Sequence, residues 1–190
     1  MDPTLPTLVT VALARATSLG FTLSCEAEVG RLLATLAAGV PEDGRVLEMG
    51  TGAGVGTAWL VMGLTGRADV ELVTIERDPR IARAAAEGPW PPSVRLETGN
   101  VLERLDALGR FDLIFADAQG GKWQGLDRTI AALTPGGVLV VDDMIVPDSA
   151  DAEHRANQER VRRTLLTHAD LVACELAVSS GIMIASRRRS

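Results

Sequence analysis

The sequence predicts an α/β fold: a mostly parallel sheet of seven strands with helices on both faces, closed by an antiparallel hairpin. Three observations predict it. From residue 45 onward, short apolar runs alternate with amphipathic stretches of helical length, the pattern of successive βα units. The runs are apolar throughout rather than at every second residue, as in strands covered on both faces. After residue 169 the alternation gives way to "DLVACELAVSSGIMIASRR", two strands about a Ser-Ser-Gly turn.

The elements follow in order. A helix is expected over roughly 4 to 19, and a second over "SCEAEVGRLLATLAAGV", with Ser24 as its N-cap. Val29, Leu32, Leu33 and Leu36 recur at helical spacing on that second helix. Strands are expected at 45–50, 70–76, 93–98, 111–117 and 137–143, and helices near 55–65, 79–87, 101–107, 124–133 and 151–168. No repeat or low-complexity linker interrupts them. The chain reads as one domain over 1–190, with a helical segment at 1–40 and the sheet-bearing core at 41–187.

Composition narrows the partners. Of 190 residues 46% are apolar, enough for a packed core. A net charge of −6 and a pI near 5.0 leave no basic face for nucleic acid. The one basic cluster, "SRRRS", is expected to be a frayed, solvated tail. Cys25 and Cys174 lie in unrelated contexts, so neither a metal spacing nor a disulfide framework follows, and a reducing, cytoplasmic compartment is expected. The opening stretch, with Asp2, prolines and Arg15 inside its apolar run, fits neither a signal peptide nor a membrane span.

In an open α/β sheet, ligands bind outside the carboxyl ends of the strands. In order, those ends carry Glu48 and a glycine loop, Glu76, Gly99-Asn100, Asp117, and Asp142-Asp143. A crevice lined by carboxylates suits a cationic ligand or a metal ion better than a phosphate.

The loop "EMGTGAGVG" places glycines at 50, 52, 54 and 56 between a strand and a helix. Glycine there allows a sharp turn and close approach of backbone to a ligand. A dinucleotide fingerprint would need glycine at 55, where Val55 stands. Glu76, at the end of the second strand, is placed to accept both hydroxyls of a ribose. The chain has no tyrosine, which removes a dehydrogenase using a Tyr-Lys pair, and it has no second domain to carry a dehydrogenase's substrate half.

With these residues in place, the sequence resembles the class I S-adenosylmethionine-dependent methyltransferases, and within them the small O-methyltransferases of the catechol and caffeoyl-coenzyme A type. The likeness runs from about Ser24 to Arg187. It is carried in order by "VLEMGTGAGVGTAWL", "LVTIERDP", "LETGNVLERL", "FDLIFADA" and "LTPGGVLVVDDM", with "SGIMIASRR" resembling the closing hairpin strand. The resemblance implies a Rossmann-like core. It implies that Glu48, Gly50, Thr51, Gly52, Gly54 and Gly56 surround the methionine part of the cofactor. Glu76 would hold the ribose, Arg77 would lie beside the adenine, and Asn100 and Val101 would flank the ring. Metal-dependent members of the family hold magnesium or a similar divalent cation with an Asp ending the fourth strand and an Asp-Asn pair ending the fifth. The matching positions here are Asp117, Asp142 and Asp143, so an Asp stands where the pattern has Asn. Three converging carboxylates repel one another unless a cation sits among them or one takes a proton. The plain alternative gives Asp143 a capping role and leaves Asp117 alone to face the cofactor's amine or sulfonium.

Lys122 is the only lysine among nineteen Lys and Arg residues. The family's base lysine falls three residues after the fourth-strand Asp, where this chain has Gly120. The glycine pair in "AQGGKW" would let a longer loop bring Lys122 back over the site, as a base for a hydroxyl acceptor. The alternative is a solvated lysine opening the next helix. Trp123 is expected either as a pocket wall or as packing, and His154 as a surface or packing residue within reach of the pocket loop. The expected reaction is methyl transfer to a hydroxyl of a small phenol- or catechol-like acceptor, with Asp117 and Lys122 as catalytic groups and a homodimer as the assembly. The second reading is a metal-independent N-, C- or protein methyltransferase, or a cofactor-binding module without catalysis.

Overall fold

The computed structural model describes residues 5–189. Two helices, α1 (Thr7–Leu19) and α2 (Ala27–Ala38), precede the first strand. Then follow β1 (Arg45–Met49), α3 (Val55–Gly63), β2 (Glu71–Glu76), α4 (Pro79–Ala86), β3 (Val94–Thr98), α5 (Val101–Leu108) and β4 (Phe111–Ala116). After β4 come a four-residue turn of helix α6 (Gln119–Lys122), α7 (Leu126–Ala131), β5 (Leu133–Val141), α8 (Ala152–Thr167), β6 (Leu171–Leu176) and β7 (Ile182–Arg187).

The sheet order is β3-β2-β1-β4-β5-β7-β6. The first five strands pair in parallel, and β7 inserts antiparallel to both β5 and β6. From β1 the chain winds outward to β3, then returns to β4 and winds the other way. The switch point therefore lies between the carboxyl ends of β1 and β4, where a crevice forms.

Successive residues of a strand point to opposite faces, so each strand feeds two cores. Val46, Leu72, Leu113 and Phe115 pack under α1, α2 and α3. Leu47, Ile75, Ile114 and Val141 pack under α5, α7 and α8. On the first face the packing of α2 against α3 is backbone-close. A Cβ at Gly30 would strike the Trp59 indole, and one at Gly63 would strike the backbone of Ala34.

Several local expectations change. Ser24 does not cap α2: the N-cap position is Glu26, without a side-chain cap bond, and the Ser24 hydroxyl is buried without a partner among the described residues. The expected helix over 124–133 begins later, because Gly125 adopts φ 72° and the short α6 precedes it. β5 starts four residues early, with an irregular register between Phe111 and Leu113 of its partner. The basic tail is not frayed through Arg188. Arg187 ends β7 and donates to the carbonyls of Ala131 and Leu133, while Arg188 donates to Ala169. Thr4, where the first helix was expected to start, lies outside the described residues. Among the described residues no helix is long and apolar enough to cross a membrane.

Candidate active site

β1, β2 and β3 build one half of the crevice. Glu48 on β1 is only 1% exposed. Its Oε2 accepts from Thr57 Oγ1 at 2.5 Å and from Thr74 Oγ1 at 2.6 Å, and the Thr51 and Thr74 hydroxyls lie 2.6 Å apart. Its Oε1 has no partner among the described residues. Burial pushes this carboxyl up to about 7, against the pull of the two threonine bonds.

The glycine loop follows directly. Gly50 has φ 102° and Gly52 φ 52°, conformations that side chains resist. A Cβ at Gly50 would meet the backbone of Asp117 at 3.2 Å, so the ends of β1 and β4 are joined there with no space for one. A Cβ at Gly56 would enter the Glu48 carboxylate. At the end of β2, Glu76 accepts from the Gly52 N–H through Oε2 and from the Asp78 N–H through Oε1, both at 2.9 Å. Asn100 Oδ1 accepts from the Leu102 N–H at 3.0 Å and so opens α5, with Val101 buried behind it. Arg77 is exposed.

Three residues that sequence reasoning did not single out cover this half. The Phe21 ring lies against Gly52. Arg15 donates to the Ala53 carbonyl at 2.7 Å and sits over the Trp90 ring at 5.6 Å. Trp90 also covers Gly54. All three come from segments distant in sequence, with no local pattern to mark them.

β4 and β5 build the other half. Asp117 follows β4, and burial first, then the charge of Asp142, holds its carboxyl well above the usual range; Lys122 opposes that shift. Asp142 is buried, and burial raises its carboxyl as well. Its Oδ1 accepts from the Ser180 hydroxyl at 2.5 Å and from the Asp143 N–H at 2.7 Å. Asp143 has φ 57° and an open side chain.

Lys122 is not a solvated helix-opening residue. It is 4% exposed, and its Nζ donates to the Asp142 carbonyl at 3.0 Å and to Asp143 Oδ2 at 3.2 Å. The glycine pair makes this possible: Gly120 and Gly121 leave helical geometry, and Gly121 takes φ 91°. A Cβ at Gly121 would strike Met49 Sδ. Thr129 Oγ1 donates to the Gly121 carbonyl at 2.9 Å and fixes the loop from below.

Trp123 packs: its ring meets His154 edge-on at 4.9 Å, and its Nε1 donates to Gln158 Oε1 at 3.3 Å. Gln158, wholly buried, donates in turn to the Asp143 carbonyl. At the mouth, Glu26 Oε2 accepts from Ser179 Oγ at 2.5 Å and from the Ser180 N–H at 3.1 Å. Gln158, Ser180 and Glu26 were not legible as site residues either.

The expected metal cluster does not assemble. Among the described residues no three His, Cys, Asp or Glu side chains are arranged to hold a metal ion. Asp142 spends Oδ1 on Ser180 and on the backbone, and Asp143 faces an ammonium. With the Lys122 ammonium in place, this donor set does not fit a divalent cation.

Comparison with known proteins agrees with the architecture. Residues 47–144 match a family model described as a methyltransferase domain. A presumptive O-methyltransferase of Mycobacterium sp. (strain JLS) is 32% identical over 173 residues, covering 84% of this chain and 77% of that one. One from Mycobacterium bovis (strain BCG / Pasteur 1173P2) is 37% identical over 162 residues, 78% and 70% of the two chains. Among solved structures, the O-methyltransferase TomG from Streptomyces achromogenes, in complex with S-adenosylmethionine, superposes with a TM-score of 0.82 at 26% identity, covering 97% of this chain and 91% of that one. The O-methyltransferase from Bacillus cereus, in complex with S-adenosylhomocysteine, shares the fold at 20% identity and a TM-score of 0.81, over 99% and 94% of the chains. A glycine turn at the switch point, an acid closing β2 and relatives of this extent together place the chain in a family: it belongs to the class I S-adenosylmethionine-dependent methyltransferases, among the O-methyltransferases.

Proposed function

We propose that this chain methylates a hydroxyl of a small, flat, phenol- or catechol-like acceptor. S-adenosylmethionine, when bound, supplies a methyl group already activated by its sulfonium. The residues present fit it. Glu48 offers a buried oxygen that has no partner among the described residues, suited to the cationic end of the methionine. Gly50, Gly52, Gly54 and Gly56, with Thr51 among them, form a close turn in which a Cβ would meet Asp117, Phe21, Trp90 or Glu48. The Glu76 carboxylate, now bonded to two backbone N–H groups, is placed to accept ribose hydroxyls. Asn100 and Val101 bound the adenine side, with Arg77 at its open edge.

The observation that carries the reading is that Asp117 lies against the glycine turn at Gly50 with the buried Lys122 ammonium near enough to act on its charge. Asp117, its carboxyl held well above the usual range by burial and by Asp142, is when ionised a stronger base than an exposed carboxylate and is suited to take the proton of an acceptor hydroxyl. The Lys122 ammonium supplies positive charge to the oxygen as it loses that proton. Alignment of the acceptor oxygen with the methyl carbon can lower the barrier by roughly 7–11 kcal/mol in the best cases. Leu23, Ile145 and Val178 are large apolar side chains left exposed. Ile145 and Val178 flank the turn that holds Ser180 against Asp142, and Leu23 sits just before Glu26. An apolar rim of this kind favours an aromatic acceptor.

The test is transfer of a labelled methyl group from S-adenosylmethionine to a panel of phenols, catechols and amines. Label recovered in an aryl methyl ether supports the reading. Label recovered only in amines or protein, or none with any acceptor, overturns it.

A further inference from the structure

We infer that Lys122 is a built-in cation, its ammonium taking over the place at the ends of β4 and β5 that a divalent metal would otherwise hold among Asp117, Asp142 and Asp143. This rests on the methyl-transfer reading above and specifies how that site is charged.

The first argument is burial. An ammonium taken out of water costs several kcal/mol unless it is paired and hydrogen-bonded. Lys122 is 4% exposed, yet it is both: the Asp142 carbonyl and the Asp143 carboxylate accept from it at 3.0 and 3.2 Å. The second is the loop that delivers it. Gly121 stands at φ 91° against Met49, where no side chain fits, and Thr129 clamps its carbonyl. The backbone is bent at the residue before Lys122, and the bend turns the lysine inward.

The third argument is the partner. Asp143 is one of three non-glycine residues with positive φ among those described, and the Gln158 amide holds its carbonyl. That strained backbone fixes the carboxylate beside the ammonium. Lys122 and Asp143 thus meet across 21 residues as one ion pair. The fourth is that Ser180 and the Asp143 N–H both hold Asp142 Oδ1, which fixes the strand end whose carbonyl accepts from the ammonium.

Manganese(II) is the probe, followed by the paramagnetic resonance of the free ion, with S-adenosylhomocysteine binding measured in parallel by calorimetry. The wild-type protein is expected to leave millimolar manganese free and to keep its methyl-transfer rate within about twofold when a chelator is added. Lys122→Met removes the ammonium and leaves Asp117, Asp142 and Asp143 without the positive charge that now acts on them. It is expected to gain manganese binding by at least about tenfold, which corresponds to roughly 1.4 kcal/mol. Lys122→Arg keeps a positive charge and is expected to bind no more manganese than wild type. Stoichiometric manganese binding by the wild-type protein, or loss of activity with chelator, overturns the inference, and neither measurement needs a variant to fold. If homocysteine-form cofactor binds but manganese does too, only this inference fails. If the cofactor form does not bind at all, the functional reading fails with it.

Discussion

The two halves of the crevice are built in different ways. The proposed cofactor half, at the ends of β1 to β3, mixes bonds inside its own turns with bonds between strands: Glu76 accepts from the Asp78 N–H and Asn100 caps its own helix, while Glu48 also accepts from Thr74 and Glu76 from the Gly52 N–H. The proposed acceptor half, at the ends of β4 and β5, is held by pairs far apart, with Lys122 on Asp142 and Asp143, Ser180 on Asp142, and Trp123 on Gln158. The bonds inside the turns of the first half leave signals in the sequence, and the long-range pairs of the second half do not.

The comparison can be broken most forcefully at Glu76. Glu76→Ala removes both acceptors for the ribose, and two charge-assisted hydrogen bonds are worth about 3 kcal/mol together, so cofactor affinity is expected to fall by more than about a hundredfold by calorimetry. Lys122 and its partners should stay in place. A fall of less than about threefold would remove Glu76 from the donor site.

A second test concerns stability. The folded-state value of Glu48 is raised from 4.5 to about 7. The stability this group contributes is therefore complete below about 4.5 and is lost as pH rises through about 7, in total about 3 kcal/mol. In cofactor-free protein, denaturant unfolding from pH 4.5 to 8 should show this slope, and Glu48→Gln should flatten it by that amount. An unchanged slope would mean that Glu48 titrates normally.

In the acceptor half, Gln158→Leu deletes the bonds to Trp123 and to the Asp143 carbonyl. It is expected to cost about 2 kcal/mol of stability and to lower kcat while cofactor affinity stays within about twofold. Equal losses in both would show that the halves are not separable. The smallest effect is expected at Arg77, which is exposed: Arg77→Ala should change cofactor affinity by no more than about twofold, and a larger loss would place it firmly on the adenine.

This difference also explains what the sequence disclosed. All seven strands, their direction and the glycine turn were legible, because apolar runs and glycine spacing are local signals. Glu76 and Asn100 could be placed from the strand ends alone. The fate of Lys122 could not. Its burial depends on two glycines leaving helical geometry and on a carboxylate 21 residues away, and no periodicity reports either. Ser24 was misjudged for a related reason: a serine before an apolar run suits a cap, but the chain enters α2 two residues later, from Glu26. The tail was misjudged because its arginines find carbonyls beside β5 and β6 that only the closed sheet assembles.

The grip of Glu26 on Ser179 and Ser180 fastens the entrance of α2 to the turn between the last two strands. Since α2 is locked to α3 through Gly30 and Gly63, the hairpin is latched by way of α2 to the very helix that the glycine turn begins. The closing strands thus act as a keystone and not as an appendage: clipping them off would slacken the opposite wall of the cleft.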